Sequence, residues 1–280
     1  MDQALAFRYR EAMVSAVQVG SLLREWRQRR RLSQLDLACD ANISTRHLSF
    51  IETGRAQPSR GMILQLAERL EIPLRERNTL LTAGGYAQIY PERKLDDPAL
   101  DAGRKAVQLV LSGHEPYPAL AIDRHWTLIA SNRAIPPLLA GIDSTLLQPP
   151  VNVLRLSLHP AGLAPRIVNI SEWRSHLITR LRQQIDITAD HFLMDLMKEL
   201  CNYPSPDGIA RSESAELRES AGVAVPLRLA TDSGTLALIS TTMVFGTPVD
   251  ITLSELAIES FFPADESSAA TLRRLAQRQV

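Results

Sequence analysis

Ser33 and Ser44 each stand directly before a short run of helical composition, and Asn42 sits between the two runs. A serine at such a position caps a helix by accepting a hydrogen bond from a backbone N–H of the first turn. Helices are therefore expected over residues 34–41 and 45–53, with Leu35, Leu37 and Ala38 giving the first its apolar contacts. Asn is one of the few residues besides glycine that tolerates a left-handed backbone. Asn42 followed by the apolar Ile43 thus predicts a tight, plugged turn.

The flanks continue the pattern. Residues 21–30 place Leu22, Leu23 and Trp26 on one helical face; Gly54 ends the 45–53 helix, and Pro58-Ser59 starts another over 60–70. A fifth runs over 73–83 to Gly84-Gly85. Five short helices with a capped pair at a tight turn form an all-α helix-turn-helix domain, whose second helix of the pair is the element that enters the DNA major groove. If Leu48 and Ile51 face the core, the opposite stripe is Thr45, Arg46, Ser49 and Phe50. Arg46 suits guanine O6 and N7, and Phe50 a thymine methyl or, alternatively, packing against a second domain. Gln34 and Ser44, at helix N-termini, and Arg55 suit phosphate contacts. The arginine run 29–31 would form a rim for the DNA backbone.

The stretch LREWRQRRRLSQLDLACDANISTRHLSFIETGRAQPS resembles the Xre family of repressor-like helix-turn-helix domains, through Leu23-Arg24, Ser33-Gln34, Leu37-Ala38, Ile43-Ser44, Leu48, Ile51-Glu52, Gly54 and Pro58. The resemblance implies that Thr45, Arg46 and Phe50 point toward base edges. It also implies an internal ion pair between Arg24 and Glu52, which takes Arg24 off the DNA-contacting set.

Charge supports this placement. The chain is neutral overall, yet residues 1–80 hold 13 Arg against 9 Asp and Glu, and the remainder is correspondingly acidic. No apolar run reaches membrane-spanning length and the N-terminus is broken by Asp2, Arg8, Arg10 and Glu11, so a cytoplasmic protein without membrane association is expected. Cys39 and Cys201 have no metal-like spacing and read as unpaired thiols.

The polar segment 89–98 reads as a linker, dividing a helix-turn-helix domain at 20–88, behind an extension at 1–19, from a second domain at 99–280. That second part predicts a helix over 99–112, strands at 118–123 and 126–130, and helices whose stripes are Trp173, Leu177, Leu181, Ile185 and then Phe192, Leu193, Leu196, Met197, Leu200. Strands follow at 223–229, 235–245 and 248–252, with a closing helix near 268–278. This order argues an α+β domain, an antiparallel sheet covered by helices.

The segments YPALAIDRHWTLIASNRA, NVLRLSLHPAGLAPRIVNISEWRSHLITRLR, VAVPLRL and STTMVFGTPVDITLSELAIESFFPAD resemble the MmyB-like regulators, Xre-type proteins with a C-terminal PAS-like ligand-binding module. The resemblance implies a small apolar ligand, with a fatty acid as leading candidate. Trp126, Trp173 and Leu177 are the candidate cavity wall, and Arg155, His159 and Arg166 the candidate anchors for a carboxylate. His176 lies nearby, and Asn132 and Asn169 read as caps or turn supports.

No catalytic residues, metal ligands or cofactor are expected. The acids and histidines of 159–195 lack a metal-ligand pattern, and no phosphate loop or nucleophile elbow occurs. The sequence reading is a homodimeric regulator that reads an imperfect palindrome in double-stranded DNA and responds to an apolar ligand. The alternative is a second domain that only dimerises or binds a protein partner.

Overall fold

The computed structural model describes residues 18–204, 225–246 and 250–277. They form two compact units whose main boundary falls between Glu92 and Arg93. The expected extension 1–19 falls largely outside the described residues, but residues 18 and 19 already belong to the first helix, where Val19 is fully buried.

The first unit holds α1 (residues 18–29), α2 (Gln34–Asp40), α3 (Thr45–Glu52), α4 (Arg60–Arg69) and α5 (Leu74–Ala83). Ser33 caps α2 in a reciprocal box: its hydroxyl accepts from Asp36 N–H while the Asp36 carboxylate accepts from Ser33 N–H. Ser44 and Ser59 cap α3 and α4 by accepting from His47 and Met62 N–H. Asn42 adopts φ +52°, the left-handed turn that its side chain tolerates. Leu23, Trp26, Leu37, Leu48, Ile51, Leu66 and Leu81 close the core. Gly20 lets α1 lie against the end of α3. A Cβ there would fall 2.2 Å from the Ile51 carbonyl oxygen, so only a residue without a side chain fits.

The second unit begins with α6 (Asp101–Gly113) and the hairpin β1 (Ala119–Ile122) and β2 (Leu128–Ser131). Three helices follow, α7 (Val153–Leu158), α8 (Ile170–Thr188) and α9 (His191–Asn202). The chain then runs through β3 (Leu227–Thr231), β4 (Gly234–Val244), α10 (Ile251–Ser254), β5 (Ala257–Pro263) and α11 (Glu266–Gln277). The five strands pair antiparallel in the order β2-β1-β5-β4-β3. One sheet face packs Val107 and Leu111 of α6 against Ala119, Ala121 and Ile258. On the other, Leu227, Leu229 and Leu238 join the stripe Trp173, Leu177, Leu181, Ile185 of α8 and the Leu193, Leu196, Leu200 stripe of α9. The chain is thus an all-α helix-turn-helix domain followed by an α+β domain with a helix-covered antiparallel sheet.

Two strand expectations change. The run 223–229 becomes a strand only from Leu227, with Val223 outside the described residues. Ile251 and Thr252, expected in a strand over 248–252, lie in α10, while residues 247–249 are outside the described set. The central strand is β5, and its residues carry no period-two pattern because Ile258, Glu259 and Ser260 are buried in succession. A strand covered on both faces hides the alternation on which strands are recognised.

Candidate nucleic-acid interface and ligand cavity

The α3 helix separates its faces cleanly. Leu48, Ile51 and Glu52 are buried, Arg46 is exposed, and Thr45, Ser49 and Phe50 are half-buried. The Arg46 guanidinium lies over the Phe50 ring at 5.3 Å, one helical turn away, so both occupy the same outward face. Ser44 and Arg55 are exposed at the two ends of α3. Gln34, the first residue of α2, is half-buried and donates from Nε2 to Glu52 Oε2 at 2.8 Å.

The internal ion pair belongs to a different arginine from the one expected. Arg27, not Arg24, donates from Nε and Nη2 to the two Glu52 oxygens at 2.6 and 2.9 Å, and from Nη1 to the Leu32 carbonyl. The hydrogen bond to Glu52 is the main cause that holds the Arg27 pKa above its ordinary value, against the opposing effect of burial. Arg24 lies one turn earlier and is exposed. The arginine run also divides. Arg30 donates from Nε to the Leu70 carbonyl and from Nη2 to the Glu71 carbonyl, closing the end of α4, whereas Arg29 and Arg31 are exposed.

In the second unit a cavity of about 100 Å³ opens between the sheet and the helices. Leu120, Leu229 and Phe261 line it from the sheet, Leu154 from α7, and Trp173 and Leu177 from α8. Trp126 completes the wall from the hairpin turn, where it holds φ +64°. A bulky residue in that region is strained at a cost of about 1–3 kcal/mol, sustained here by its contacts. Its indole N–H donates to Gln184 Oε1 at 2.7 Å, and the Arg180 guanidinium lies over its ring at 5.0 Å.

Of the expected ligand residues, Trp126, Trp173 and Leu177 come together at this cavity, while Arg155, His159 and Arg166 are not among its lining residues. Arg155 donates twice to Glu199 at 2.8 Å, and Tyr203 O–H donates to the same carboxylate. Arg166 donates to the carbonyls of Ala230, Leu138 and Ala140. The His159 Nδ1 accepts from Ala161 N–H, and its ring meets Tyr203 edge-on. Each side chain holds local structure instead. Asn132 ties the Leu111 and Tyr117 carbonyls to Ala119 N–H. Asn169 joins Pro226 and Arg228.

Among the described residues, the charged groups at the cavity are Arg180 and Glu259. Arg180 lies seven residues beyond Trp173, on the same face of α8, a signal that the helical period carries. Glu259 lies in β5, 79 residues away in sequence, and no spacing links the two.

Residues 104–275 match the MmyB-like transcription regulator ligand binding domain, and residues 18–80 match a helix-turn-helix domain. The chain belongs to the MmyB-like transcription regulators. A protein of Methanoculleus marisnigri named as an HTH-type transcriptional regulatory protein is 35% identical over 116 residues. That stretch is 40% of the chain of this MmyB-like regulator and spans 37% of that relative's length. Among solved structures, the restriction-modification controller protein C.AhdI from Aeromonas hydrophila is 35% identical, over 22% of this chain and 94% of that one, with a TM-score of 0.21. An RNA-binding light-oxygen-voltage receptor is 14% identical, over 99% of this chain and 67% of that one, with a TM-score of 0.28.

Among the described residues no helix is long and apolar enough to cross a membrane, and no group of three or more metal-ligating side chains occurs. In this MmyB-like regulator Cys39 and Cys201 are both exposed and free.

Proposed function

We propose that this MmyB-like regulator binds a specific double-stranded DNA site through α3, and that a hydrocarbon-chain ligand in the second unit changes that binding. The observation that carries the DNA reading is the division of α3. Leu48 and Ile51 seal its inner face, which leaves the exposed Arg46 and His47 and the half-buried Thr45, Ser49 and Phe50 away from the core on a capped helix. Arg46 supplies a guanidinium for guanine O6 and N7, and Phe50 an apolar surface for a thymine methyl. Ser44, Gln34 and Arg55 flank that face where phosphates would pass. A homodimer reading an imperfect palindrome follows from the half-site logic of such domains.

The ligand reading rests on the apolar cavity, walled by leucines and two tryptophans. A largely apolar wall with a few placed polar groups is the usual lining of a small-molecule site. A fatty acid belongs to the class of ligand that this wall suits. The cavity of about 100 Å³ lies below the roughly 300–1,000 Å³ usual for ligand pockets, so a long chain must part the lining or extend beyond it. The same small volume favours a second reading, a filled module that dimerises or binds a protein partner. A ligand regulates only if it binds the DNA-competent and incompetent states with different affinity.

The test has two arms. Selection from random DNA with the intact protein should return a two-fold symmetric site whose affinity falls steeply with salt. Mass spectrometry of small molecules retained by the purified protein should find an apolar compound that alters affinity for that site when removed and restored. Selection that returns no preferred sequence would defeat the DNA reading. A protein that retains no compound, and whose affinity for the site no added apolar compound alters, would leave the dimerisation module standing.

A further inference from the structure

A second, larger hollow lies in the same unit. It is an open cleft of about 630 Å³, lined by Pro137 and Ala140, by Ala230 and Thr231 of β3, and by Arg166. This cleft and the cavity between sheet and helices share one lining residue, Leu138. Leu138 is 6% exposed, so its side chain fills the space between the two. It belongs to the short 3-10 turn Pro136–Leu139. Before that turn, the Asn132 side chain is fixed to Leu111, Tyr117 and Ala119. After it, Gly141 takes φ +80° in open space, with no atom near the place of a Cβ.

The chain between these two points has few ties. Pro136 and Pro137 have no N–H to give. Leu138, Ala140 and Ile142 donate locally, to the carbonyls of Ile135, Pro137 and Leu139. Among the described residues, every hydrogen bond that reaches residues 136–142 from outside 135–142 comes from one atom, Arg166 Nη1. It donates to the Leu138 carbonyl at 2.9 Å and to the Ala140 carbonyl at 3.1 Å. Arg166 Nε holds β3, donating to the Ala230 carbonyl at 3.2 Å. One guanidinium therefore bridges the cleft and pins the turn that carries Leu138.

We propose that the 136–140 turn is a door between the outer cleft and the cavity, with Leu138 as its plug and Arg166 as the positioning residue that latches it. This rests on the reading that the cavity takes a small molecule, and it names the way in. Most other lining residues of the cavity stand in strands or in α7 and α8, where parting the wall would break ladders or helical turns. At the turn, opening costs the latch bonds and the exposure of one leucine, and Gly141 is free to absorb the rotation. Arg166 does not line the cavity, so it touches a bound molecule in neither state. The latch thus governs how fast a molecule enters and leaves, and leaves its affinity alone.

The experiment uses the full-length protein, and its first arm needs no ligand. Trp126 and Trp173 line the cavity, while the third tryptophan, Trp26, lies in the first unit and is common to every variant. Quenching of tryptophan emission by acrylamide reads how readily a small neutral molecule reaches them. Arg166→Met keeps much of the side chain's reach and removes its donors. A hydrogen bond from a charged donor shifts an opening equilibrium by about tenfold or more, so quenching should rise by about that factor. Arg166→Lys should fall between Met and the unaltered protein, and Leu138→Ala, which removes the plug, should also raise quenching. Arg104→Met is the control: it loses bonds to the Leu95 and Asp97 carbonyls beside α6 and should leave quenching unchanged. Melting curves check that each variant folds; should Arg166→Met fail, Arg166→Lys and Leu138→Ala decide. In the second arm, stopped-flow mixing with hexanol should show entry and exit accelerated by the same factor in Arg166→Met, with the dissociation constant unchanged. Quenching that rises equally in Arg104→Met and Arg166→Met, or in neither, would overturn the door. A weaker hexanol complex with an unaltered entry rate would make Arg166 part of the site and overturn the latch. Raised quenching in the door variants without hexanol uptake by any of them would uphold the door as a feature of the fold and overturn the reading that a hydrocarbon passes it.

Discussion

Arg27 on α1 and Glu52 at the end of α3 meet through two hydrogen bonds of 2.6 and 2.9 Å, and Gln34 on α2 donates to the same carboxylate. Three helices therefore converge on one buried acid. Its side chain is 1% exposed, so removal of its partner leaves an uncompensated charge in the core. Arg27→Ala should cost about 3–5 kcal/mol, whereas Arg24→Ala should stay within about 0.5 kcal/mol. Denaturant titration of both variants checks this; the opposite ranking would return the pair to Arg24.

Arg46 is exposed, stacked on Phe50 and placed on the outward face of α3. Arg46→Ala should weaken binding to the preferred site by about 1–3 kcal/mol and relax the preference at one base position. Arg55→Ala should weaken all sequences alike and make the salt dependence shallower. Unchanged base preference in the Arg46 variant would remove it from the reading face.

In a homologous series of hydrocarbon ligands, each methylene buried contributes about 0.8 kcal/mol, close to fourfold in affinity. The cavity of about 100 Å³ sets an early ceiling. Affinity should climb over the first few carbons and then level off or drop as lining side chains must move. A response flat from the first member onward would mean that the chain is not buried at this site.

Stability should respond to pH in two separate windows. Burial, and then the nearby positive charge of Arg180, hold the His176 pKa below its usual 6.5, with Glu259 opposing. The unfolded chain therefore takes up a proton near pH 6.5 that the folded chain refuses. Stability is full above that pH and falls as the pH drops below it. Glu199 shows the carboxylate case. The hydrogen bond from Arg155 is the main cause that keeps its pKa below the usual 4.5, so its contribution persists until the pH falls under that value. Denaturation midpoints between pH 7.5 and 5.5 should slope downward in the unaltered protein and flatten in His176→Gln. An equal slope in both would clear His176 of the effect.

The helical unit was legible because its signals are local. Ser33, Ser44 and Ser59 cap the helices that their positions predicted, and Asn42 takes the left-handed turn within a few residues of the atoms that require it. The stripe Trp173, Leu177, Leu181, Ile185 was equally plain, since all four are buried on one face of α8. The choice between Arg24 and Arg27 was not, because residues three apart share a helical face and the sequence does not fix how far α1 is rotated. The Arg180–Glu259 pair was hidden for a different reason. One partner sits in a helix and the other in a central strand with no alternation, and only the closed sheet brings them together. Arg155 and Arg166 were attractive by composition, yet their guanidinium groups are occupied by Glu199 and by backbone carbonyls.

The bare α-carbon of Gly20 against the Ile51 carbonyl bears on how such a domain changes its target. The depth and angle at which α3 is presented are set where Gly20 of α1 meets the Ile51 carbonyl and, at the same end of α3, by the Glu52 carboxylate. Neither involves Thr45, Arg46, Ser49 or Phe50. If α3 reads DNA as proposed, its outward letters can be rewritten while the mount that holds it stays the same, and operator preference would be free to drift through substitutions that leave the fold untouched. Gly20 itself has no such latitude: even alanine would push the helix off its seat.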